Sequence, residues 1–360
     1  MDDVYRRLAK RLNEMPNGYP ETKSGVELMI LQKIFSPEDA KTALLLSPLP
    51  ETAEAVAKRL EKPVSEMREK LDDMAKRGQI GSFTLFGQQM YMQIPFVPGI
   101  YDFQLYRMDR EFVDLYDEYE PVLLVAMGSH RPAAARVVPI NDDIEVMSRV
   151  RIYEDVRRIV EKSNSFLLVD CICRKERAML GHGCDHTIKA CLYVAIEKNA
   201  YDYFSIGGEA ISREKALDIL KSSEEEGLVH MTYYNVQKGH NVICNCCTCC
   251  CHSFRGTLNY GALHMFEKSN FMARIDAESC IACGTCAEER CPVKAISENG
   301  GSYIVMEDKC IGCGLCTVTC PADSISLVDR DEAERDEPPK NLVEWNINRA
   351  KNRGIELKLK

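Results

Sequence analysis

The chain is 360 residues long, with 45% hydrophobic and 28% charged residues and a formal net charge of −9. That composition belongs to an ordinary globular protein of two or three domains and excludes wholesale disorder. The acidic balance offers no global attraction to nucleic acid or anionic lipid, and no apolar run approaches the ~18 residues of a membrane span.

The start, MDDVYRRLAKRL, spreads charge through its length and lacks an apolar core, so no export signal is expected. Eighteen cysteines in such a chain are expected to be reduced thiols acting as metal ligands in the cytoplasm. Soft thiolates select zinc, Cu(I) or iron–sulfur clusters. All eighteen fall between Cys171 and Cys320, which predicts a cysteine-free N-terminal region followed by metal-bearing units.

In chain order, SPEDAKTALLL carries Ser36 as N-cap, Pro37 at the first helical position and acids in the first turn. LPETAEAVAKRL and VSEMREKLDDMAKRG predict two amphipathic helices, the second stopping at Gly78. IGSFTLFGQQMYMQI predicts a hairpin turning at Gly87. Helices followed by a hairpin resemble a winged helix-turn-helix, which implies DNA binding. Residues 51–77 hold seven acids and seven bases, however, so the face has no basic surplus for phosphate contacts. A structural or docking role is expected, and no nucleic-acid partner.

Residues from about 120 to 243 alternate between helix and strand. RIYEDVRRIVEKSN predicts a helix, SFLLVD an apolar strand running into CICR, ISREKALDILKSSEEEG a helix between Ser212 and Gly227, and LVHMTYY a strand. The pair Gly207 and Gly208 reads as a turn. After the cysteines, DRDEAERDEPPK is a charged linker, and NLVEWNINRAKNRG a helix with the only tryptophan, Trp345. Residues 340–360 carry six bases against two acids, read as a tail against the body or a docking element for an acidic partner.

CIACGTCAEERCP begins at Cys280 and CIGCGLCTVTCP at Cys310, an internal repeat offset by 30 residues. The repeat resembles the bacterial two-cluster ferredoxins over residues 273–328. The resemblance implies that Cys280, Cys283, Cys286 and Cys320 hold one 4Fe-4S cluster, and Cys310, Cys313, Cys316 and Cys291 the second. Gly284, Gly312 and Gly314 would let backbone N–H groups approach cluster sulfurs, and Pro292 and Pro321 turn the chain away. The first repeat has four residues between Cys286 and Cys291 where the second has three, which lengthens the loop carrying Cys291.

Mid-chain lies CNCCTCCC, six cysteines in the eight positions 244–251. Neighbouring cysteines rarely meet disulfide geometry, so metal is expected. Cys244, Cys247 and Cys250 repeat the i, i+3, i+6 spacing, Cys246 and Cys249 form a second CxxC, and Cys251 is left over. With Cys171, Cys173, Cys184 and Cys191 they make ten ligands, enough for two further clusters shared between segments. A larger or non-cubane cluster and a zinc site, with His182, His186 and His252 as further ligands, stay open. Arg174 and Lys175 read either as charge compensation for thiolates or as surface charge.

The order of features resembles a family of multi-cluster iron–sulfur proteins, ferredoxin-like, of anaerobes. The expected fold is α+β multidomain: a helical winged-helix-like region (1–119), a central α/β cysteine-rich domain (120–272), a dicluster ferredoxin domain (273–330), and a linker with a C-terminal helix (331–360). The expected function is electron transfer, as a component of an anaerobic oxidoreductase rather than a stand-alone enzyme. Flavin or metal oxidoreductases and a small ferredoxin are the expected redox partners. A catalytic central cluster fed by the ferredoxin unit, or a redox-sensing transcriptional regulator, are the alternatives.

Overall fold

The computed structural model describes residues 3–85, 87–140, 152–201, 206–239 and 242–356, in an α+β fold. Helices α1 (Asp3–Asn13), α2 (Val26–Ile34), α3 (Pro37–Leu45), α4 (Ala53–Leu60) and α5 (Val64–Lys76) lead into a hairpin of β1 (Gly81–Leu85) and β2 (Gln88–Met92). Local chemistry sets their ends. Ser36 and Asp39 cap α3 reciprocally, and the Thr52 hydroxyl accepts from Ala55 N at the start of α4.

Helix α6 (Arg110–Gly128) begins at an Asp109 cap and runs nineteen residues. The domain boundary expected after residue 119 falls inside it. Tyr116, Tyr119, Leu123 and Met127 form one continuous buried stripe, sharing a core with Tyr19, Phe96 and Met265. A helix cut there would divide its own apolar face.

The central sheet collects β3 (Ala135–Val137), β4 (Ser165–Asp170), β5 (Lys189–Ala195), β6 (Glu209–Ala210), β7 (Val229–Tyr233), β8 (Val242–Cys246) and β9 (Phe266–Glu267). Their order is β6-β4-β5-β8-β7-β3-β9, antiparallel throughout except for the β3–β9 pair. Around it lie α7 (Val156–Lys162), α8 (Ile172–Met179), α9 (Arg213–Glu225) and α10 (His252–Tyr260). The helix expected over 151–164 is a 3-10 turn at Ile152–Glu154 followed by the shorter α7; Arg151 lies outside the described residues. Asp155 breaks it by capping α7, accepting from Arg158 N at 3.0 Å, while buried Glu154 pairs with Arg136 at 2.8 Å.

In the last third, β10 (Phe271–Ile275) pairs with β13 (Ile325–Asp329), and β11 (Ile296–Asn299) with β12 (Ser302–Val305). Helix α11 (Leu342–Asn352) then returns to the body. Trp345 is fully buried and its Nε1–H donates to Ala133 O at 2.9 Å. Arg349, also fully buried, donates to the carbonyls of Pro16, His130 and Pro132 at 3.2, 2.7 and 2.6 Å. Two bases of the basic tail, Arg349 and Arg353, are thereby used internally. No helix among the described residues is long and apolar enough to cross a membrane.

Candidate metal centres

The repeat builds two cavities. One is lined by Cys280, Cys283, Cys286 and Cys320 with Ile275, Tyr303 and Ile325. The other is lined by Cys291, Cys310, Cys313 and Cys316 with Ala273, Val293 and Ile296. Each thus takes three thiols from one loop and a fourth from the far repeat. The extra residue before Cys291 is absorbed as a wide π-type turn at Cys286–Arg290, so Cys291 still reaches the second cavity.

The donor chemistry fits 4Fe-4S clusters. Backbone N–H groups of Ala282, Ala295 and Ser324 donate to the sulfurs of Cys280, Cys291 and Cys320 at 3.4, 3.1 and 3.4 Å. Such bonds favour the thiolate that iron requires. The Ala282 N–H, first among its contacts, holds the Cys280 thiol below its ordinary range. Burial instead pushes Cys313 up to about 12. The two loops differ in access: Cys283 is exposed, whereas Cys310, Cys313 and Cys316 are buried.

The inner loop faces the central domain. Ile140 N donates to Cys313 O at 3.0 Å. Cys313, Ile311 and Leu315 share one apolar cluster with Val137, Phe254, Cys246 and Cys251. Arg290 anchors the join, donating to the C-terminal carbonyls of α9 at Glu224 (2.6 Å) and Glu225 (3.0 Å). Apart from the cysteines, these joining residues carry no sequence signal, because the contacts are long-range.

The ten central cysteines divide into a ring and a tetrad. Strand β8 presents Cys244 and Cys246 on one face, since alternate residues share a side. Cys191 comes from the neighbouring β5, Cys171 and Cys251 sit at the N-caps of α8 and α10, and Cys173 lies in the first turn of α8. These six line one cavity, which Cys247 also touches. Around it each thiol influences the ionisation of its neighbours in turn: Cys171 with Cys173, Cys173 with Cys251, Cys251 with Cys246, Cys246 with Cys244, Cys244 with Cys191, and Cys191 with Cys171.

Cys184, Cys247, Cys249 and Cys250 form the tetrad, with all four sulfurs within 4.8 Å of one another. The i, i+3, i+6 reading of Cys244, Cys247 and Cys250 is therefore not the grouping found. Strand β8 ends at Cys246, the chain turns, and Cys247, Cys249 and Cys250 point to the other centre.

Arg174 stands between ring and tetrad, buried, and donates to Thr187 O at 2.6 Å and Asn245 O at 2.7 Å. Cys250 first, with Arg174 behind it, lowers the Cys247 thiol to about 5. Lys175 instead lies over the Tyr106 ring at 4.5 Å. The three histidines do not join the tetrad. His252 Nε2 meets Glu176 at 2.7 Å in a buried group with Glu120 and Arg255, His186 approaches Glu226 at 3.6 Å, and His182 is not in that thiol set. Glu120, Glu176 and Arg255 were not singled out by sequence, since isolated charges in helices carry no pattern.

A family model described as a 4Fe-4S dicluster domain matches residues 273–327. An uncharacterized ferredoxin of Methanocaldococcus jannaschii is 34% identical over 90 residues, 25% of this chain and 53% of the relative. A ferredoxin-like protein in the nif region of Bradyrhizobium diazoefficiens is 38% identical over 63 residues, 16% of this chain and 84% of the relative. Hydrogenase-4 component A of Escherichia coli is 33% identical over 90 residues, 23% of this chain and 41% of the relative. The chain spans about half the length of the first of these relatives. Family match, relatives and thiol-lined cavities agree: the chain belongs to the ferredoxin-like iron–sulfur proteins, with a 4Fe-4S dicluster domain towards its C-terminus.

Proposed function

We propose that the protein is an electron-transfer component of an anaerobic oxidoreductase system, working in the cytoplasm. Cys280, Cys283, Cys286 and Cys320 hold the outer 4Fe-4S cluster; Cys310, Cys313, Cys316 and Cys291 hold the inner one. Such clusters, when bound, exchange one electron at a time with a partner. The observation that carries the reading is the placement of the buried Cys310–Cys316 loop in the same apolar cluster as Cys246 and Cys251 of the thiol ring. The exposed Cys283 and Ile281 offer the outer face to a redox protein, such as a small ferredoxin or a flavin or metal oxidoreductase. Hydrogenase-4 component A, by its name part of a larger enzyme, supports assembly with such a partner.

The six-thiol ring is the third iron–sulfur centre in this reading. Its residues exclude water and offset charge: the walls are Tyr193, Tyr233 and Leu105, and the Arg174 guanidinium faces Cys171 and Cys246. Helices α3 to α5 and the β1–β2 hairpin serve as a winged-helix-like structural module. Supporting this, Arg59 pairs with Glu51, Arg68 with Glu54, and Lys70 and Arg77 with Asp39, so these bases are engaged within the fold.

One feature favours a second reading, catalysis at the ring. Its cavity is larger than either ferredoxin cavity and extends along Val97, Pro98 and Ile206. Cyanide that shifts the spectrum of the central centre, and not the ferredoxin signals, would favour it. The cluster assignment on which the electron-transfer reading rests is tested by Cys320→Ala. It should perturb the EPR signal of the outer cluster; an effect confined to the Cys310 cluster would overturn the cross-ligation.

A further inference from the structure

The tetrad differs from the two ferredoxin sets in one measurable respect. Its sulfurs are close: Cys184 Sγ lies 3.6 Å from Cys250 Sγ and 4.0 Å from Cys247 Sγ. Among the described residues, it is the only cysteine set with all its sulfurs within 4.8 Å of one another. One metal ion bound tetrahedrally by thiolates at about 2.3 Å sets its sulfurs about 3.8 Å apart. A cubane needs its terminal sulfurs roughly 6 Å apart, because each sits on its own iron and two irons are separated by the diagonal of a cube face. The ferredoxin sets, whose sulfurs are not all so close, provide the internal comparison.

We propose that Cys184, Cys247, Cys249 and Cys250 form a mononuclear zinc site that braces the six-thiol ring. Four thiolates in a tetrahedron suit zinc or a single iron, and zinc binds such a site more tightly than iron(II). The charge of a tetrathiolate is met by Arg174, which ties the two loops together through Thr187 O and Asn245 O.

The role follows from the chain order. Cys247 directly follows Cys246 of the ring, and Cys250 directly precedes Cys251, so both ends of the 247–250 turn abut ring thiols. A metal that closes this turn fixes the direction of Cys246 and Cys251. Cys184 extends the brace to the loop after α8, whose N-terminus carries Cys171 and Cys173. The proposal stands on the tetrad's geometry alone and does not depend on the electron-transfer reading.

The test uses full-length protein purified anaerobically, with zinc and iron counted by plasma mass spectrometry and zinc K-edge absorption recorded. The expected result is one zinc per chain with four sulfur neighbours at about 2.3 Å. Cys249→Ser, at the exposed ligand, should lose the zinc while the ferredoxin EPR signals persist, which also reports that the chain is folded. Cys171→Ser, in the ring, should keep it. No zinc, zinc with nitrogen or oxygen neighbours, or zinc untouched by Cys249→Ser would each overturn the proposal. The absorption spectrum of the unmodified protein decides even if a variant fails to fold. A zinc-loaded protein whose iron never changes redox state would instead defeat electron transfer and leave this site intact.

Discussion

Replacing Gly312 by alanine adds one atom, and the repeat supplies its own control. Gly312 and Ala282 occupy equivalent positions in the two cysteine loops, with left-handed backbones at φ +67° and +55°. Ala282 shows that the loop accepts a Cβ, so backbone strain accounts for only ~1 kcal/mol. The neighbours decide the rest. A Cβ on Gly312 would land on the Phe271 carbonyl oxygen and the Ser269 hydroxyl. Ser269 Oγ donates to Gly312 O at 2.7 Å and Ser269 N to Ile311 O at 3.2 Å. Making room costs those two bonds, about 1 kcal/mol each, and overpacking adds about 1 kcal/mol or more. The sum, about 4 kcal/mol, opens the Cys310–Cys313 loop roughly a thousandfold more often.

Gly312→Ala should therefore lose the inner cluster and keep the outer one. Iron and sulfide should each fall by about four per chain, and the magnetic interaction between the two reduced clusters should vanish from the EPR spectrum. Ala282→Gly should change neither. Full iron with an intact interaction signal in Gly312→Ala would refute the steric argument.

Burial opposes ionisation of Asp39, yet hydrogen bonds from Arg77 and Lys70 hold its carboxyl well below the usual range. Its folded value lies under its unfolded value, so its stabilisation is present above about pH 4 and is lost as the pH falls further. Asp39→Asn should cost about 2 kcal/mol at pH 7, with the deficit shrinking by pH 3 in urea unfolding followed by circular dichroism; equal deficits at both would count against it. Arg349→Met strands buried carbonyls at Pro16, His130 and Pro132 and should weaken docking of α11 by about 3 kcal/mol. Trp345, the only tryptophan and part of the same helix, reports that undocking by a red shift of its emission at low urea. An unshifted Trp345 would mean that the carbonyl cradle contributes little.

What the sequence determined by itself is what short-range chemistry dictates. Ser36, Thr52, Ser212 and Asn341 cap their helices through bonds to residues three positions on, so those helix starts are local facts. The cysteine loops from 280 and 310 are equally local, because three thiols on a seven-residue loop already outline one site. Tertiary structure decided what depends on partners far along the chain. The continuation of α6 past residue 119 was invisible because its buried stripe is completed by Met265, far along the chain. Likewise, CNCCTCCC holds no internal rule for sorting its thiols. The sorting depends on β8 stopping at Cys246, which is held by pairing with Val229 of β7, and on Cys184 and Cys191 arriving from other segments. Adjacent cysteines go to different centres because the end of a strand turns the backbone between them, and the strand's neighbours in the sheet set where it ends.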